Sequence, residues 1–243
     1  MKRYLSTLAV LATLAAATPA LADTLLVDRA AEKPAGKRGF IKASGEQLAF
    51  EDNTPVRFWG TNLSAYSLFK TPDEEIAKQA KRLSALGFNL VRLHHHDSPW
   101  VSPNVFGDGT LIRDTQQLNA ESLRKIDLWV KRLKDEGIYV WLDMHVQRAL
   151  TAHDNIEDFD ELAKGEPRVD LKGYAYVNQS IQKAMKRFAE QYLTHVNPYT
   201  GLAYKDDPAI AAILITNEND ITQHYGNALM PDKKVPEHTE RYR

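Results

Sequence analysis

The chain contains no cysteine. That removes disulfide cross-links, thiol nucleophiles and cysteine-ligated metals or clusters from consideration. It also lacks an excess of charge of either sign, with 31 basic against 32 acidic residues. Without a basic surplus to neutralise phosphates, an electrostatic nucleic-acid binder is excluded. No short repeat of fixed period runs along it, which argues against a solenoid. Beyond the first two dozen residues no segment is apolar for long enough to span a bilayer. What remains is an ordinary globular composition, 43% hydrophobic and 26% charged over 243 residues, enough for one sizeable core.

The N-terminus differs from the rest. Lys2 and Arg3 form a short positive region, Leu5 to Ala17 an apolar stretch, and Ala20-Leu21-Ala22 a small-x-small cleavage site. This pattern predicts a secretory signal over residues 1–22, with cleavage near Ala22-Asp23 and a periplasmic or extracellular destination. No membrane attachment is expected after cleavage. Residues 23–35 are polar and aperiodic and read as a flexible leader. Residues 36–243 then form one domain.

Gly39 to Lys42 and Gln47 to Phe50 flank Ser44-Gly45 and predict a hairpin that caps one end of the domain. From there strands and helices alternate. Val56 to Asn62 is the first core strand. Thr71-Pro72-Asp73-Glu74 opens a helix, with Thr71 as N-cap and Pro72 at its first position. Ile76, Ala80 and Leu83 recur at helical spacing until Gly87 stops it. Phe88 to His94 is the second strand. Asn119 caps a helix carrying Leu123, Ile126, Val130 and Leu133, ended by Gly137. Ile138 to His145 is the third strand. A helix with Val177, Ile181, Phe188 and Tyr192 ends before Asn197-Pro198. The apolar run Ala209 to Ile215 is the fourth strand. Such alternation predicts a parallel sheet of the (β/α)8-barrel type. Only four βα units are present where a barrel needs eight, so the chain reads as an N-terminal half. Irregular inserts, Ser98 to Leu118 and Arg148 to Gly173, follow the second and third strands, on the face where barrels build clefts.

The fourth strand runs into Asn217-Glu218. A carboxylate at the end of a buried strand costs several kcal/mol unless it is paired or used, and the C-terminal ends of barrel strands carry the chemistry. Glu218 is therefore the leading catalytic candidate. His94-His95-His96-Asp97 ends the second strand. Strand alternation predicts His94 and His96 on the same face as Arg92. With His145 they could make a metal site, although Arg92 on that face would repel a cation.

Four segments carry a family likeness: Phe58-Trp59-Gly60-Thr61-Asn62, Leu86-Gly87-Phe88-Asn89-Leu90-Val91-Arg92-Leu93, Gly137 to His145, and Asn217-Glu218. In this order the chain resembles the clan A retaining glycoside hydrolases, in particular the cellulase-like and mannanase-like families, from about Gly39 to Glu218. The resemblance implies Glu218 as general acid/base and Asn217 as the partner of a sugar 2-hydroxyl. It implies Arg92 as the residue that orients the nucleophile, and His145 as a subsite histidine. The nucleophile, a glutamate of the seventh strand in these families, has no counterpart here; Glu237 and Glu240 lie too close in sequence to Glu218. A carbohydrate substrate and no cofactor or metal are expected, with His94 and His96 in hydrogen bonding and Trp100 in sugar stacking. Trp59 and Trp141 divide between core and stacking roles. The competing expectations are a non-catalytic carbohydrate-binding half-barrel and a metal-dependent hydrolase using His94, His96 and His145.

Overall fold

The computed structural model describes residues 32–109 and 111–220. Its centre is a parallel sheet of β4 (Gly60–Ser64), β5 (Leu90–His94), β6 (Tyr139–His145) and β11 (Ile210–Thr216), adjacent in that order. Neighbours run in register, for example Asn62 beside Arg92 and Arg92 beside Trp141. Four parallel strands lying side by side in sequence order, joined by three helical crossovers, are part of a (β/α)8 barrel.

One face of this sheet is covered by helices. Helix α2 (Asp73–Ala85) has three acidic residues in its first turn and turns Ile76 and Ala80 inward. Helix α3 (Ala120–Asp135) starts where the Asn119 side chain accepts hydrogen bonds from Glu121 and Ser122 N–H, at 3.1 and 3.0 Å. Helix α5 (Gln179–Thr194) starts in the same way at Asn178. Val91, Leu93, Val140, Leu142 and Met144 from the strands pack with Ile126, Trp129, Leu133, Phe188 and Tyr192 from the helices. Trp129 is fully buried and donates its indole N–H to the Leu68 carbonyl at 3.0 Å. Burial of each such large apolar side chain contributes about 2–3 kcal/mol. The opposite face is polar in part, carrying Asn62, Arg92, His94 and Trp141, none of them fully buried.

Thr71 differs from expectation. It caps no helix start; its hydroxyl and N–H both bond the Ser67 carbonyl, closing the short helix α1 (Ala65–Lys70). Six residues are too few for a helical period to show in sequence.

The hairpin β1 (Ile41–Ser44) and β2 (Gln47–Phe50), extended by β3 (Pro55–Val56), forms an antiparallel sheet. Ile41, Phe50 and Phe58 pack on Tyr139, Leu90 and Ala209 at the starts of the core strands, so this sheet caps their N-terminal ends. Of the segment read as a leader, residues 32–35 are described. Ala35 is fully buried, and its N–H bonds the Lys134 carbonyl at 2.8 Å.

Both long connections leave the C-terminal ends of β5 and β6. The second, residues 146–178, builds its own small structure. It comprises β7 (Ala149–Thr151), β8 (Arg168–Asp170) and α4 (Phe159–Ala163), around Leu150, Ile156, Val169, Leu171 and Tyr174. Arg148, 2% exposed, ties the two connections together. It donates to the Thr115 hydroxyl and carbonyl and to the Ala184 carbonyl, at 2.9, 2.7 and 3.0 Å, with its guanidinium against Phe106 and Phe188. Burial lowers its pKa to about 10. The short hairpin β9 (Val196–Asn197) and β10 (Leu202–Ala203) leads into β11.

Candidate active site

The polar cluster at the C-terminal ends of the strands is organised around Asp143. This carboxylate, fully buried on β6, accepts the Arg92 Nε–H at 2.9 and 3.0 Å to its two oxygens. Its second oxygen also lies 2.7 Å from His94 Nδ1. Arg92 uses its other arm to donate to the Asn217 side-chain oxygen at 2.8 Å. Neighbouring strands thereby fix one another's side chains, from β5 through β6 to the end of β11. Ionised pairs of this kind are strong, directional hydrogen bonds. Removing one partner would leave a buried charge uncompensated.

Asn217 is held a second time, by its own N–H to the His145 carbonyl at 2.8 Å. Asn219 is held as well, its side-chain oxygen accepting the Gly173 N–H at 2.7 Å and its carbonyl accepting the Tyr176 hydroxyl. Glu218 stands between these two fixed asparagines. It adopts a left-handed backbone with φ 48°, and its side chain is 70% exposed. A non-glycine residue with positive φ costs of order 1 kcal/mol or more and persists only where its surroundings impose it. Its carboxylate lies 3.5 Å from Lys172 Nζ, whose side chain is only 13% exposed.

His95, at the end of β5, also has positive φ, 64°. Its ring packs on His94 and edge-on to Trp100, and its Nδ1 lies 2.7 Å from the Ser98 hydroxyl. Burial, reinforced by the neighbouring His94, lowers the His95 pKa and favours the neutral ring. Trp100 is 53% exposed, with its indole N–H bonded to the Gln147 side chain at 2.9 Å. Asp97 anchors the loop from below, accepting the Val146 and Gln147 N–H groups at 2.9 and 3.1 Å.

Of the residues singled out in the sequence, Arg92, His94, Asn217, Glu218 and Trp100 therefore line or adjoin the C-terminal ends of the strands. His96 and His145 do not join them. β5 ends at His94, and the positive φ of His95 reverses the alternation that would have put His96 beside Arg92. His96 is fully buried, stacked near Phe188, with Nε2 on the Asp143 carbonyl. His145 packs against Phe188 at 4.8 Å and is 2% exposed. Desolvation, aided by Arg148, lowers its pKa to about 3, against a hydrogen bond to the Met185 backbone. The ligand set His94, His96 and His145 is thus not assembled, and no group of three potential ligands of this kind occurs among the described residues. Trp59 stacks on Phe88 before the start of β4, 67% exposed and at the wrong end of the strands for the cluster. Trp141 is half-buried mid-strand beneath Arg92. Glu237 and Glu240 lie outside the described residues.

Sequence reasoning passed over Asp143, Lys172 and His95. Asp143 was detectable by the logic that found Glu218, since it is a carboxylate embedded in an apolar strand. Lys172, in a loop, carries no such signal.

Consecutive parallel strands with polar side chains gathered at their C-terminal ends define the class, a (β/α)8-barrel protein. The family model described as "Cellulase (glycosyl hydrolase family 5)" matches residues 50–202. The chain belongs to glycosyl hydrolase family 5. Among solved structures it is similar to the endo-1,4-beta-mannanase from Rhizomucor miehei, with 23% identity and a TM-score of 0.56, over 74% of this chain and 48% of that one. It is also similar to a glycoside hydrolase family 5 mannosidase from Rhizomucor miehei, with 15% identity and a TM-score of 0.52, over 74% of this chain and 49% of that one. At these identities the likeness is one of fold. The chain spans about half the length of either structure. No curated protein matches it.

Proposed function

We propose that this chain is the N-terminal part of an exported retaining β-glycosidase in which Glu218 is the general acid/base. The observation that supports this reading most directly is the position of Asn217-Glu218. The pair follows the fourth consecutive barrel strand, with Asn217 locked by Arg92 and the Glu218 carboxyl turned to solvent. In the first step Glu218 protonates the glycosidic oxygen as a nucleophilic carboxylate attacks the anomeric carbon from the opposite face. In the second it takes the proton from the water that releases the sugar. Retention places the two carboxyl groups about 5–5.5 Å apart. The nucleophile is supplied from outside this chain, which is therefore inactive alone. The substrate is a β-linked oligo- or polysaccharide, with Asn217 meeting a hydroxyl next to the reacting carbon and Trp100 offering a ring face. His94 presents its imidazole beside them.

The test is Glu218→Gln in the full-length enzyme, assayed on natural glycosides and on aryl glycosides with good leaving groups. The expected result is a loss of 10²-fold or more on the poor leaving groups, and far less in the glycosylation step of the activated ones. Equal losses on both would remove Glu218 from the acid/base role.

A further inference from the structure

We propose that Lys172 is a positioning residue for Glu218, and that the insert between β6 and α5 exists in part to deliver it. The proposal rests on the acid/base reading of Glu218 and deepens it. The insert is anchored by its own apolar cluster, and the turn that bears Lys172 is set into that cluster. Leu171 on one side is 2% exposed and Tyr174 on the other 9%. The turn is shaped further by the Lys172 N–H bonding the Asp170 carboxylate at 3.0 Å, and by Gly173 at φ 77°. From this fixed turn three contacts reach the segment after β11. Gly173 N–H and the Tyr176 hydroxyl grip Asn219, while the Lys172 ammonium approaches Glu218 Oε2 at 3.5 Å.

The asymmetry of exposure gives these contacts a direction. Glu218 is mostly in solvent and Lys172 mostly buried. A long, flexible ammonium side chain is seldom buried without a partner, because desolvating its charge is costly. The ion pair that Lys172 makes among the described residues is with Glu218. The other titratable groups near that carboxylate are His95, whose ring is favoured neutral, and the Arg92–Asp143–His94 network that fixes Asn217. A cation presented from a packed turn restricts the rotamers of an otherwise exposed side chain. A general acid gains from being held in one geometry, since misplacement of about 1 Å can cost 10²-fold.

Two measurements test this. In the present chain, amide hydrogen exchange is followed in peptides covering residues 214–220 for the double variant Lys172→Met with Tyr176→Phe. Exchange several-fold faster there, with β5 and β6 peptides unchanged, is expected; unchanged exchange at 214–220 overturns the proposal. In the full-length enzyme, Lys172→Met is expected to lower kcat about 10-fold on natural glycosides and to spare activated aryl glycosides, with Lys172→Arg restoring most of the loss. Equal loss on both substrates without rescue by arginine means a structural role only, and overturns it. Glu218→Gln assayed alongside separates the two failures. If Glu218→Gln shows leaving-group dependence and Lys172→Met does not, only the positioning role falls. If neither does, the acid/base reading falls with it.

Discussion

Replacing Asp143 by alanine is the most informative single perturbation of the strand-end cluster. The carboxylate is fully buried and receives Arg92 Nε at 2.9 and 3.0 Å and His94 Nδ1 at 2.7 Å. Its removal leaves the Arg92 guanidinium, whose side chain is 21% exposed, without its counter-ion. Breaking a buried pair from one side costs about 3–5 kcal/mol. The partial access of Arg92 to water discounts that to about 2–4 kcal/mol. For a chain of this size such a loss lowers Tm by roughly 5–12 °C. Urea and thermal unfolding followed by circular dichroism measure it. The double variant Arg92→Met with Asp143→Leu supplies the control, because exchanging both charges for apolar groups is often near neutral. It should return to within about 1–2 kcal/mol of the starting protein. A cost below about 1 kcal/mol for Asp143→Ala, or losses that simply add in the double variant, would refute the account of Asp143 as the centre of the cluster.

Further expectations follow from polar groups elsewhere in the chain. His145 has a folded-state pKa of about 3, below its unfolded value. The unfolded chain therefore binds the extra proton below about pH 6.5, and stability falls as pH drops from there toward 3. Between pH 7 and 5 this amounts to about 2 kcal/mol, and His145→Gln should flatten that limb of a stability-versus-pH curve. Arg148→Ala removes the hydrogen bonds to the Thr115 hydroxyl and carbonyl and to the Ala184 carbonyl. It should destabilise by about 3 kcal/mol or more and open residues 146–178 to limited proteolysis before the sheet unfolds. Asn119→Ala should cost about 1 kcal/mol as the loss of a helix cap. Asn178→Ala should cost about 2 kcal/mol, because that fully buried side chain also donates to the Glu157 carbonyl at 3.0 Å. Chemical denaturation of the two variants separates these values.

Core strands β5, β6 and β11 were legible because each carries an apolar run bounded by a glycine or proline signal, as at Gly87, Gly137 and Pro208. The first core strand, read as Val56 to Asn62, is displaced to Gly60–Ser64, with Val56 in the capping sheet. Asn119 could be read as a cap because its chemistry is local. Thr71 failed because a helix of six residues precedes it, and the hydroxyl satisfies that helix instead. His94 was placed correctly and His96 was not, since strand alternation holds only while the strand continues. One positive φ at His95 sends the next ring into the core. Trp59 was weighed as core or platform and is not core, lying exposed before β4.

By itself the sequence determined the alternation of strands and helices, the faces that meet in the core, and the position of Asn217-Glu218 at a strand end. These depend on local periodicity and turn chemistry, which neighbouring residues carry. Tertiary structure alone decided that Arg92 spans from Asp143 to Asn217, that His145 is desolvated, and that Lys172 reaches Glu218 from 46 positions earlier in the chain. Contacts of that kind depend on where packed loops and strand ends come to rest, and no local pattern in the residues encodes that distance.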